Sequence, residues 1–161
     1  MTLHVAQDPM TGFKTLEQAF ATGWRMTRVP FTSDVFYEKD MALGAERFTY
    51  AKLNKLKVQQ LVVLNGNQPL NGLPCFCLFY GTLEALRGKG LTIPFVKKCL
   101  EQFKKDLHKR YGRELYIEAF VETDNEPSIA VCRSLFGEPV KTATDQSTGQ
   151  LNHIWQYKIE R

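Results

Sequence analysis

The sequence predicts a mixed α/β domain of the α+β kind, built on a mostly antiparallel sheet of about six to seven strands with helices on both faces. Three observations carry that expectation. Residues 46–53 alternate between apolar and polar, and residues 58–64, 75–84 and 115–121 are strand-length stretches rich in apolar residues. Apolar residues at three- and four-residue spacing mark separate helical stretches. One of those stretches lies between two strand-like segments, an order that implies locally parallel pairing, while three consecutive strands before it imply an antiparallel meander.

Residues 1–6 are compatible with a short first strand. Residues 12–25 read as a helix, because Phe13, Leu16, Phe20 and Trp24 share one face. Residues 27–39 mix one Pro with several aromatics and fit either a loop or a short helix with an extra strand. Residues 46–53 and 58–64 read as strands joined by a turn at Asn54-Lys55. Residues 65–74 hold three Asn, two Gly and two Pro, the composition of a long surface loop. Residues 75–84 form the third strand. A long helix follows, with Ile93, Val96, Leu100, Phe103 and Leu107 on one face and Lys97, Lys98, Lys104, Lys105 and Lys109 elsewhere; Gly112 is its expected stop. Residues 115–121 are a strand. Asp124 or Asn125 can cap a helix with Pro127 in its first turn, running to about Phe136. Residues 139–143 and 153–159 close the chain as strands around a polar loop.

The chain has 161 residues, the length of one ordinary domain, and we expect residues 1–161 to form a single unit. Its hydrophobic share of 43% is enough for a core without disulfide or metal staples. Lys and Arg exceed Asp and Glu by four. That excess suits a phosphorylated ligand and speaks against a dedicated nucleic-acid partner. Cys75, Cys77, Cys99 and Cys132 include no C-x-x-C pair, so no metal site is expected and the thiols read as buried small hydrophobes. Without a signal-like start or a membrane-length apolar run, the sequence reads as a soluble, cytoplasmic protein with no membrane partner.

The stretch Leu86-Arg87-Gly88-Lys89-Gly90-Leu91 carries the chemistry. Glycine lets the backbone take left-handed angles and approach a ligand closely. The unpaired N–H groups and the dipole of a helix start favour an anion. Arg87 and Lys89 add positive charge. The P-loop spacing is absent, and a lone G-x-G without a second strand–helix repeat is not the dinucleotide fingerprint. Taken alone the tetrapeptide is also compatible with an ordinary tight turn; its place between a strand and a long helix favours a phosphate cradle.

In that turn and in its element order the sequence resembles the GNAT-type N-acetyltransferases over residues 46–159. Their Q/R-x-x-G-x-G/A turn is matched by Arg87, Gly88, Lys89, Gly90 and Leu91. The resemblance implies a GNAT-like acyl-CoA N-acyltransferase fold with acetyl-CoA as acyl donor and no metal. Its pyrophosphate would lie on those residues and on Thr92. Gly81, Thr82 and Leu83 fall where the family's strand bonds the pantetheine arm. Asn125-Glu126-Pro127-Ser128 is similar to the family's Asn-x-x-Ala/Ser, which points to Asn125 and Ser128 as cofactor contacts. Three departures stand out. Ala85 replaces the opening Gln or Arg; Pro94 follows closely, so Thr92 is expected to cap the helix and lengthen the turn; and Cys132 occupies the position of a Tyr that protonates the leaving thiolate.

Acyl transfer to an amine needs a general base. Glu84 and Glu118 are the candidates the resemblance suggests, with Cys132 in the acid position. Glu118 sits among apolar residues, where burial would raise its pKa towards a useful value, although alternation can also send it to a solvated face. His4 and His108 are scattered, and His153 opens the last strand. Trp24, Phe31, Phe36 and Tyr37, with residues 144–155, are candidates to line an acceptor groove; the aromatics equally suit the core. The expected acceptor is a small-molecule or peptide amine, and a homodimer is compatible with the sequence. The rival reading is a catalytically silent acyl-CoA-binding or regulatory module of the same fold.

Overall fold

The computed structural model describes residues 9–111 and 114–160. The expected first strand, His4 and Gly112 lie outside those residues, as does the side chain of His108. In chain order the elements are α1 (Pro9–Ala21), β1 (Thr27–Arg28), β2 (Val35–Ala42), β3 (Ala45–Asn54), β4 (Lys57–Leu70), β5 (Leu73–Thr82), α2 (Thr92–Tyr111), β6 (Leu115–Glu122), α3 (Glu126–Phe136), β7 (Lys141–Thr144) and β8 (Leu151–Ile159). A short 3₁₀ turn, Glu84–Leu86, precedes α2.

Among the described residues the strands form one eight-stranded sheet in the order β1-β2-β3-β4-β5-β6-β8-β7. Every neighbouring pair is antiparallel except β5–β6. Eight strands exceed the six to seven expected from pattern, because the ambiguous aromatic segment supplies β1 and β2. β2 pairs along its whole length with β3, from Val35↔Lys52 to Ala42↔Ala45.

The expected loop over residues 65–74 is corrected most. β4 continues through Leu70, and β5 begins at Leu73 after the turn residues Asn71 and Gly72, whose φ angles are 51° and 77°. Asn65, Gly66 and Asn67 pair with Cys77, Phe76 and Cys75. A ladder is made by main-chain groups, so polar side chains are no bar to it where a partner strand is present. Pro69 falls in the irregular stretch between Asn67 and Leu70, where a missing N–H breaks no regular pair. The β3–β4 connection is also one residue later than expected, at Lys55 and Leu56, with Lys55 at φ 56°.

α1 covers β4 and β5 on one face. Phe13 and Phe20 pack with Ala51, Leu53, Leu61 and Val63. Gly12 permits this approach, since a Cβ there would stand 2.8 Å from Leu61 Cδ2. On the other face α2 buries Val96, Cys99, Leu100, Phe103 and Leu107 against Tyr50, Val62, Leu64, Phe76 and Leu78. Phe48, Phe76 and Phe103 meet edge to face with centroids 5.0–6.0 Å apart, a preferred aromatic geometry. α3 shares that face and packs Ile129 and Cys132 on Ala119, Val121 and Trp155. The four cysteines are all buried free thiols.

Candidate functional site: a glycine cradle at the mouth of a split in the sheet

The glycine turn is held from beneath by buried polar groups. Gln60 on β4 is 2% exposed. Its side-chain amide donates to Leu91 O at 3.1 Å and to Thr82 Oγ1 at 3.3 Å. Thr82 Oγ1 in turn lies 2.8 Å from Thr92 Oγ1. This chain ties β4, the end of β5 and the start of α2 into one block, and an amide buried there without partners would be costly. The sequence reading missed Gln60; a polar residue between Val58 and the apolar run from Leu61 to Leu64 was its only signal.

Above that block the chain runs through Arg87 to Leu91 with Gly88 at φ 74° and Gly90 at φ 71°. A Cβ at either glycine would meet nothing within 4 Å. Side chains are therefore barred by backbone conformation rather than by space, and the main chain lies open to a ligand. Arg87 turns back: its Nε donates to Thr82 O at 3.0 Å, fastening the turn to β5. Lys89 is exposed. Thr92 does not cap the helix. It is the first helical residue, and Leu91 O accepts the first helical bond from Phe95 N–H at 3.4 Å. Pro94 thus sits in the first turn, where its missing N–H breaks no helical bond.

β5 and β6 form a parallel ladder only at Cys75↔Tyr116, Phe76↔Ile117 and Cys77↔Glu118. β5 goes on to Thr82 and β6 to Glu122 without pairing to each other, which leaves a notch between them beyond Cys77 and Glu118. Leu83 N–H donates to Gln59 O at 2.8 Å. By the alternation of an antiparallel ladder, the main-chain groups of Leu83 and Gly81 point to β4 and those of Leu78, Tyr80 and Thr82 point to the notch. Of Gly81, Thr82 and Leu83, only Thr82 turns its main chain to the notch, and its carbonyl is held by Arg87.

α3 flanks the notch. Asn125 is its N-cap, with Oδ1 accepting from Ser128 N–H at 3.3 Å. Tyr80 reaches across from β5: its hydroxyl donates to Ser128 O at 3.1 Å and lies 3.4 Å from Cys132 Sγ. Since the phenol has one proton, the thiol donates in the second contact. Burial pushes the Cys132 thiol up to about 11 and holds the Tyr80 phenol well above the usual phenol range. Both groups therefore keep their protons at neutral pH.

Glu118 is the last β6 residue paired with β5 and stands at the closed end of the notch. Alternation turns it to the α1 face of the sheet, away from α2 and the cradle. It is 8% exposed. Asn67 Nδ2 donates to Oε1 at 3.1 Å and Gln156 Nε2 donates to Oε2 at 2.8 Å. The carboxylate forms one wall of a trough of about 350 Å³ that also involves Pro69, Leu70, Phe120, Ile154, Lys141 and residues 143–145. The structure does not bring Glu84 here; it is exposed on the 3₁₀ turn beside the cradle. His153 faces α3, bonded to Thr142. The expected aromatics do not line the trough. Phe36 packs under α1, Tyr37 packs on the α2 core, Trp24 stacks on Phe20, and Phe31 is wholly exposed. Only the second expected segment contributes, through Thr144, Asp145, Asn152 and Ile154.

No family model and no curated protein matches the sequence. Solved structures do match the fold. A ribosomal-protein-S5-alanine acetyltransferase from Vibrio fischeri superposes with a TM-score of 0.57 at 18% identity, over 72% of this chain and 62% of that one. A GNAT-family acetyltransferase from Streptococcus pneumoniae gives 0.54 at 13%, over 70% and 66%. This chain has the GNAT fold. A ribosomal-protein-alanine N-acetyltransferase from Brucella melitensis extends the likeness to 91% of the chain and 76% of its own, with a TM-score of 0.51 at 16% identity. In the first two cases the match spans less than two thirds of the neighbour's length. Among the described residues no group of His, Cys, Asp and Glu is placed to hold a metal, and no helix is long and apolar enough to cross a membrane.

Proposed function

We propose that this chain is an acyltransferase that moves an acetyl group from acetyl-CoA to a primary amine, bound together in one complex. The observation that carries the reading is the placement of Glu118 at the closed end of the notch whose mouth is the cradle. Five residue steps along β5 lead from Cys77, opposite Glu118, to Thr82 beneath the turn, about 17 Å of strand. That is the length scale of an extended pantetheine arm. The cradle lies on the α2 face and Glu118 on the α1 face, so the notch joins the two.

The residues present fit such a donor. Gly88 and Gly90 leave open main chain, and the first N–H groups of α2 together with Lys89 supply positive charge for a pyrophosphate. Tyr80 offers its outward main-chain edge to the arm. The thioester supplies an acyl carbon open to attack. Glu118, oriented by Asn67 and Gln156, takes the proton the amine nitrogen sheds as the C–N bond forms. The sulfur leaves with its bonding pair, and Tyr80 Oη and Cys132 Sγ are protonated groups beside the notch that can quench it. The acceptor amine belongs to a small molecule or a peptide.

The second reading, a silent acyl-CoA-binding module, is favoured by one observation: Cys132 is completely buried and fastened to Tyr80. Thermal stability with and without acetyl-CoA tests the shared part. A ligand at a hundred times its Kd raises stability by about 2.7 kcal/mol, and no change at millimolar acetyl-CoA overturns both readings. Thiol release across a panel of amines then separates enzyme from binder.

A further inference from the structure

The trough beside Glu118 carries charge of both signs at defined places, and this bears on which amine it takes. The register aligns Phe120 with Ile154 and Ile154 with Lys141, a row across β6, β8 and β7. Glu118 and Gln156 form the next row on the same face. Two strand spacings across and two residues along put the backbones of Glu118 and Lys141 about 12 Å apart. Between them the floor is apolar. Lys141 is exposed at the outer edge, on the last strand of the sheet. Asp145 also stands at the rim, where its Oδ1 accepts from the Ser147 main-chain N–H at 2.8 Å and the Ser147 hydroxyl at 2.7 Å, which holds that oxygen toward its own loop.

We infer that the trough selects an amine that also bears an anionic group, the amine seated at Glu118 and the anion at Lys141. This rests on the acyltransferase reading above. An extended peptide covers about 12 Å in three to four residues, so the amino terminus of an acidic peptide meets both ends, and so does a small ω-amino acid. A polyamine meets a cation at the outer end and is disfavoured.

Calorimetric titration of the full chain, with and without coenzyme A, tests this. The probes are the amidated tripeptides Ala-Ala-Glu and Ala-Ala-Lys, 6-aminohexanoate, hexylamine and spermidine. Attraction in one tripeptide and repulsion in the other, each of the size of a partly exposed ion pair, predict about a fivefold preference for the acidic one. Lys141→Gln removes the preference and Lys141→Glu reverses it. Tight binding of 6-aminohexanoate relative to hexylamine assigns the site to small amphoteric amines; binding of the acidic tripeptide alone assigns it to peptides. Equal binding of the two tripeptides, preference for the basic one or for spermidine, an order unmoved by Lys141→Glu, or no binding at millimolar concentration overturns the inference. A charge preference without any acetyl-CoA stabilisation would instead remove the donor reading and leave the trough standing.

Discussion

The Tyr80 hydroxyl and the Cys132 sulfur lie 3.4 Å apart, so a side chain from β5 meets the α3 position where the related sequence pattern has a tyrosine. A phenol and a thiol thus share one small volume beside the notch. Tyr80→Phe removes the phenol oxygen and leaves Ser128 O and the thiol without that partner, at a cost of about 1 kcal/mol in a urea titration. If the phenol proton quenches the leaving sulfur, turnover falls roughly a hundredfold while acetyl-CoA stabilisation is kept. Unchanged turnover would assign the phenol to packing alone.

Glu118→Gln keeps shape and removes the base. Two carboxamides already point at this side chain, so the variant loses one good hydrogen bond and about 1 kcal/mol of stability. The expected kcat/KM is lower by about 10²–10⁴ with the acetyl-CoA shift intact. Wild-type turnover in this variant would remove Glu118 from the reaction.

Gly90→Asp places a branched, charged residue at φ 71° and a carboxylate where an anion is expected. The backbone cost is about 1–2 kcal/mol, and stabilisation by acetyl-CoA should vanish. Asn at the same position tolerates the conformation better and carries no charge; comparing the two separates strain from repulsion.

Gln60→Leu leaves Leu91 O and Thr82 Oγ1 short of a donor. A loss of about 2 kcal/mol lowers Tm by roughly 4–8 °C in a chain of this size. Because Gln60 holds the turn from below, acetyl-CoA binding weakens although the side chain lies beneath the cradle rather than in it. Calorimetric Kd values for the two forms decide this.

Burial pushes Cys75 and Cys77 up to about 12, with Glu118 adding to the rise, and Cys132 to about 11. An unfolded thiol titrates near 8.5. Folded-state values raised in this way give a contribution that is complete below the unfolded value and is lost as pH climbs toward 11–12. The urea midpoint should therefore hold to about pH 8.5 and fall beyond it. In the same protein a thiol reagent at pH 8 should find none of the four cysteines until urea is added.

The cradle was legible in sequence because its cause is local: two glycines in a left-handed conformation between a strand and a helix. The α3 start was legible for the same reason, through Asn125 and Pro127. Glu118 was visible as a carboxylate in an apolar strand, but its companions were not, since Asn67 lies 51 residues away. The segment around Asn67 misled because its polar residues resemble those of a loop. Asn67 and Gln68 are polar in a strand because they line the trough beside Glu118, a case of local preference yielding at a site. The aromatics of residues 24–37 suited a groove or the core by type, and only register decides between them: it sends Phe36 and Tyr37 to opposite sides of the sheet, into two separate cores.

Three residue pairs are the whole of the ladder between β5 and β6. The sheet is thus two rafts, β1 to β5 and β6-β8-β7, meeting at a short seam with α2 and α3 laid across one side. Such rafts are natural units of sub-global opening. A molecule lying in the notch touches both, so it acts as mortar as well as cargo. Hydrogen exchange at Cys75–Cys77 and Tyr116–Glu118 should therefore be slower with such a molecule bound than without it.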